Sequence, residues 1–146
     1  MYSQYHYQLG ASFWVIGSDM SPDELTSRLG IKPEYAFSKG APRLNKKKGI
    51  QVGIHRENKW GFSSPTLPYN PYIDAHLSYI LAIVEPHTEF LLSISDRAEL
   101  FLEIQCTLDD HFRSTSYVID NSFLSRLNKL KVNVGFVFKV VKNEHP

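Results

Sequence analysis

Apolar and polar residues alternate along several stretches of this chain, and apolar residues recur every three to four positions along others. In an extended run from Tyr5 to Ile16, Phe13 and Val15 fall on one side and Trp14 and Ile16 on the other. That period of two predicts a first strand. Ile50, Val52 and Ile54 alternate with Gln51, Gly53 and His55, which predicts a half-buried strand. After a turn at Asn58, Lys59 to Ser63 reads as its hairpin partner. Glu99 to Thr107 puts Leu100, Leu102, Ile104 and Cys106 on one face, with Glu103 and Gln105 on the other. A last strand from Val132 to Val141 keeps Val132, Val134, Phe136, Phe138 and Val140 in register.

The helical signals lie between these strands. Ser21 can cap a helix, Pro22 suits its first turn, and Glu24 stands three residues after the cap, as a capping box requires. Leu25 and Leu29 share a face and Gly30 supplies the exit. A second helix opens at Asn70-Pro71 and runs to about Val84. Ile73, Leu77, Ile80, Leu81 and Val84 form its apolar stripe, and Glu85-Pro86-His87 is expected to end it. Asp120 or Asn121 caps a third, with Phe123, Leu127 and Leu130 on one side. Ile31 to Gly49 reads as a long loop broken by Pro33, Gly40 and Pro42, its basic part Lys39–Lys48 mobile in the absence of a partner, and Ser64 to Pro71 as another loop. Phe90 to Ile94 reads as a short strand or the tail of a connection.

The element order is β-α-β-β-α-β-α-β, and the strands alternate instead of running continuously apolar. Both features predict an α+β fold: a single, largely antiparallel sheet with its helices on one face. The first six elements fit a ferredoxin-like β-α-β-β-α-β unit with an added α-β. Leu25, Leu29, Leu77, Leu81, Leu102, Ile104, Leu127 and Phe136 are the expected core.

Composition narrows the picture. The 146 residues suit one domain, 1–146. Sixteen basic residues oppose fifteen acidic ones, so bulk charge points neither to nucleic acid nor to an anionic membrane. No apolar run approaches the roughly 18 residues that a membrane span needs. The opening residues Met-Tyr-Ser-Gln-Tyr-His-Tyr have neither a basic nor an apolar leader region. Cys106 is the single cysteine, which excludes an internal disulfide and a thiolate-rich zinc site. A cytoplasmic setting is expected.

The opening strand Phe13-Trp14-Val15-Ile16-Gly17 is followed by Ser21-Pro22-Asp23-Glu24-Leu25-Thr26 and Leu29-Gly30-Ile31-Lys32-Pro33. Lys39-Gly40, Trp60 with Ser63 and Ser64, and the helix Ile73 to Leu81 come after. This series resembles the bacterial family known as domain of unknown function 4279. The similarity covers most of the chain and is densest in the first 85 residues. The family has no established reaction. Some relatives look like immunity proteins, and the resemblance therefore implies binding to a partner.

Candidate chemistry is sparse. Lys39, Arg43, Lys46, Lys47 and Lys48 cluster around Gly40, Pro42 and Gly49. Such a segment can meet a phosphate or an acidic surface, or simply stay solvated. No Walker spacing accompanies it. His55, His76, His87 and His111 are scattered without metal-ligand spacing. Asp109-Asp110-His111 fits a polar turn as well as a metal site. His76 flanks the stripe of the second helix and reads as a half-buried histidine bonded to the backbone. Cys106 lies on an apolar face and reads as a small buried hydrophobe. Trp60, beside the proline-rich loop, is either an exposed anchor or a core ring. The tyrosines near that loop, Tyr69 and Tyr72, offer amphipathic contact area.

No catalytic residue, metal site or cofactor is expected. The leading expectation is a non-enzymatic binding protein, monomer or homodimer, with a protein partner that an immunity-type chain would neutralise. Lys39, Arg43, Trp60, Tyr69 and Tyr72 are its candidate contact residues. The alternative is a small-molecule or anion sensor with Lys39, Arg43 and Trp60 lining a cleft. No membrane and no specific nucleic acid is expected as partner.

Overall fold

A computed structural model describes residues 7–65, 72–109 and 117–142. Strand β1 (Tyr7–Ile16) leads to helix α1 (Pro22–Leu29). Short strands β2 (Tyr35–Phe37) and β3 (Pro42–Asn45) follow, then β4 (Ile50–Ile54) and β5 (Lys59–Ser63). Helix α2 (Ile73–Val84) passes through a 3-10 turn at Glu85–His87 into α3 (Thr88–Ile94). β6 (Glu99–Asp109), α4 (Asn121–Lys129) and β7 (Asn133–Val141) complete the chain.

Five strands form one sheet in the order β2-β5-β1-β6-β7, and β3 with β4 form a separate two-stranded sheet. β1 pairs antiparallel with both β5 and β6, and β2 antiparallel with β5. β6 and β7 run parallel. The sheet is thus mostly antiparallel, as expected. The parallel β6–β7 pair and the separate β3–β4 sheet go beyond the expected pattern.

The sheet has two unlike faces. Leu9, Ala11, Phe13 and Val15 of β1 and Leu100, Leu102, Ile104 and Cys106 of β6 are buried in one cluster. Leu25 and Leu29 of α1, the α2 stripe, Leu91 and Ile94 of α3, and Phe123 and Leu127 of α4 join it. The alternate residues face away from the helices. Helix α1 starts as its sequence predicts: Glu24 N donates to Ser21 Oγ at 3.2 Å, and Ser21 N donates to Glu24 Oε2 at 2.7 Å. Gly30 closes it at φ 64°. Asp120 caps α4 by accepting from Ser122 N at 2.7 Å.

Four expectations need correction. The stretch read as a long loop contains β2 and β3, and β3 pairs with β4 as a hairpin. β4 is therefore not the partner of β5, and its residues are exposed instead of half-buried. Alternation signals an extended strand without saying what will cover it. Phe90 to Ile94 is helical, because Pro86 sits at the first positions of the 3-10 turn, where its missing N–H costs nothing. Phe136 is 50% exposed: α4 leads into β7 and covers its start, where Val132 is buried and Val134 packs on the core, but not the edge beyond. The other seven expected core residues are buried.

The helical stretch Ile73–Ile94 is long and apolar enough by composition to cross a bilayer, with mean hydropathy 1.2. Here its stripe Ile73, Leu77, Ile80, Leu81 and Val84 packs into the core.

Candidate functional site

The register of the sheet lays out the face away from the helices. Tyr35 of β2 lies opposite Gly61 of β5, Gly61 opposite Trp14 of β1, and Trp14 opposite Phe101 of β6. Cross-strand partners share a face, so these residues form one row across four strands. The next row runs from Phe37 through Lys59 and Ile16 to Glu99.

Two glycines make room for the rings. A Cβ on Gly61 would sit 2.7 Å from Phe13 O and 2.8 Å from Trp14 Cε3. A Cβ on Gly135 would meet the Phe101 ring. Trp14 stacks on Tyr35 with centroids 4.9 Å apart and planes at 19°. The Trp14 indole nitrogen is buried without a hydrogen-bond partner among the described residues. An unpaired buried donor costs about 1–3 kcal/mol, so ring contacts hold this indole in place.

The β3–β4 hairpin stands against these rows as a wall. His55 N donates to Ala41 O and Gly40 N to His55 O, each at 2.8 Å. The His55 ring stacks on Phe37 at 4.6 Å. Between hairpin and sheet lies a cavity of about 430 Å³, within the range of small-molecule sites. Trp14, Phe37 and Phe101 give it an aromatic lining, and Arg43, Arg56 and Lys59 bring positive charge. None of these three cations forms an ion pair among the described residues. Glu57 and Glu103 also line it, and Gln105 Nε2 donates to Glu103 Oε1 at 2.6 Å. No hydroxyl or thiol is among its lining side chains.

A second, more polar cavity of about 370 Å³ adjoins on the same face, lined by Gln8, Glu34, Tyr35, Ser63 and Gln105 among others. Ser12 and Ser63 are hydrogen-bonded through their hydroxyls at 2.8 Å. Ser64, at its edge, accepts from Ala11 N at 3.1 Å and shares a 2.8 Å hydrogen bond with His76 Nδ1.

Residues 3–140 match a family model described as Domain of unknown function (DUF4279). The chain belongs to this DUF4279 family. No curated protein and no solved structure matches it.

For this DUF4279 chain, the candidate residues read from the sequence do not converge. Arg43 lines the cavity. Lys39 is exposed nearby, its backbone N donating to Asn58 Oδ1 at 2.7 Å, but is not part of the lining. Trp60, considered as an exposed anchor, is 0% exposed, and its Nε1 donates to Thr26 Oγ1 at 3.0 Å. Its strand places it on the helix side, where α1 covers it. Tyr72 is 71% exposed at the start of α2, and Tyr69 lies outside the described residues. So do Asp110 and His111. Among the described residues no group of three or more His, Cys, Asp or Glu is arranged to hold a metal ion.

His76 is fully buried instead of half-buried, and its Nδ1 shares the hydrogen bond with Ser64 Oγ. Cys106 is buried, and burial raises its thiol pKa, as a small core residue requires. The sequence reading passed over Trp14, Phe37, Arg56, Lys59 and Phe101. A signal for one of them was present: the period of two already set Trp14 on the face opposite Phe13 and Val15.

Proposed function

We propose that this chain is a non-enzymatic binding protein that takes a small anionic ligand in the cleft between the sheet and the β3–β4 hairpin. One observation carries the reading: three cations without carboxylate partners surround an aromatic-lined cavity. Unpaired guanidinium and ammonium groups at an apolar, partly enclosed site favour an anion more strongly than they would in open water. Ser64 and His76 form the pair that an enzymatic reading would use, but both are buried and the pair joins α2 to the sheet. The cleft lies on the helix-free side of β1-α1-β2-β5-α2-β6, which we read as a ferredoxin-like unit with α4-β7 added.

A second reading keeps the protein partner of an immunity-type chain. It is supported by the protruding hairpin, where Leu44, Ile50, Val52 and Ile54 are each more than half exposed beside Lys46, Lys47 and Lys48.

The cleft reading is tested by thermal denaturation with phosphate, citrate and ribose 5-phosphate, since a ligand of the folded state raises the midpoint. The wild type gains stability with at least one of them, and Arg43→Ala/Arg56→Ala keeps its ligand-free midpoint but loses the gain. An equal gain in both proteins, or none in the wild type, contradicts the reading.

A further inference from the structure

The charges around the cleft are mixed, and this narrows the ligand. Arg43, Arg56 and Lys59 line the same cavity as Glu57 and Glu103. A compact polyanion would meet two carboxylates there. Carboxylates accept hydrogen bonds only, so they suit a ligand that also presents N–H donors. Apart from Ile16, the remaining lining is aromatic: the Trp14 and Phe101 rings stand on directly paired residues, and Gly61 and Gly135 leave the space they occupy. Glycine at both positions gives the rings room beside the backbone, where a side chain on either would push them off.

We propose that the cleft binds a nucleotide. This rests on the anion reading above and adds the identity of the ligand. A planar base stacks on the Trp14–Phe101 row, its N–H groups donate to Glu57 or Glu103, and its phosphate is held by Arg43, Arg56 and Lys59. Base–aromatic stacking and charge-assisted phosphate contacts each contribute without the other. A molecule that has both parts therefore binds more tightly than either fragment.

The experiment is calorimetric titration with adenosine 5′-monophosphate, ribose 5-phosphate, adenosine and 4-hydroxybenzoate. The nucleotide is expected to bind at least about tenfold more tightly than ribose 5-phosphate. Trp14→Leu is expected to remove that difference between the nucleotide and ribose 5-phosphate. Phe101→Leu serves as a second variant, with a smaller loss of the same kind. Equal affinity of the wild type for the nucleotide and ribose 5-phosphate overturns the stacking and leaves the anion reading standing. Equal affinity for 4-hydroxybenzoate and the nucleotide also overturns the assignment, because an aromatic acid lacks the base's N–H groups. Absence of binding by all four overturns both readings.

Discussion

The Trp14 indole stacks on the Tyr35 ring at 4.9 Å, across the backbone of Gly61 that lies between their strands. Any side chain at position 61 competes with the indole for the same space. Gly61→Ala is expected to destabilise the fold by about 1–3 kcal/mol, the usual cost of overpacking. It should also displace Trp14. Denaturant unfolding measures the first effect, and the near-ultraviolet circular dichroism of the indole reports the second. An unchanged midpoint with an unchanged spectrum would mean that Trp14 does not occupy this place.

Trp60 has the opposite environment. Its ring is fully buried beside Phe62, centroids 5.9 Å apart, and its indole N–H is satisfied by Thr26. Trp60→Ala is expected to cost about 3–5 kcal/mol of stability. Thr26→Val, which removes the acceptor and keeps the shape, should cost about 1–3 kcal/mol. Urea unfolding of both variants checks this. A fully stable Trp60→Ala protein would return Trp60 to the surface.

Glu85 and Arg126 join the turn between α2 and α3 to α4. Arg126 Nε donates to Glu85 Oε2 at 3.0 Å, and its terminal nitrogen also pairs with the carboxylate. Hydrogen bonding from Arg126 holds the Glu85 carboxyl below its ordinary value of 4.5. A depressed carboxyl pKa contributes stability above the ordinary value, and this is lost as pH falls through the lowered one. Both groups are about one-third exposed, so the contribution is about 0.5–1 kcal/mol. Glu85→Gln should be less stable than the wild type by that amount near neutral pH, and the gap should close as pH drops below 4.5. A gap that widens in acid would contradict the sign.

What the sequence made legible follows the range of the interactions. The Ser21–Glu24 capping box and the Gly30 exit are formed by residues a few positions apart, and their signals survive without tertiary context. The buried faces of β1, β6, α2 and α4 follow from period alone, because each is backed by one continuous core. β2 and β3 were not legible: β2 has three residues, β3 begins with a proline, and both exist through pairing with distant strands. Phe136 repeats the apolar signal of the inner strands, but it lies on an edge that no described helix covers. The cleft was the least legible part. Its cations come from β3, the segment after β4 and the start of β5, and its rings from three strands, so no spacing along the chain joins them. Trp60 drew attention as a tryptophan beside a proline-rich loop, while Trp14, on the open face of its strand, lines the cavity.

The two tryptophans supply the most direct test, because each contributes one indole N–H signal to a proton–nitrogen correlation spectrum. Phosphate, ribose 5-phosphate and adenosine 5′-monophosphate are titrated in turn into the labelled protein. At least one of them is predicted to move the Trp14 signal together with the backbone amides of Arg43, Arg56 and Lys59, and to leave the Trp60 signal in place. Shifts confined to Lys46–Lys48 or Tyr72, or no shifts with any of the three, would contradict a ligand site in the cleft.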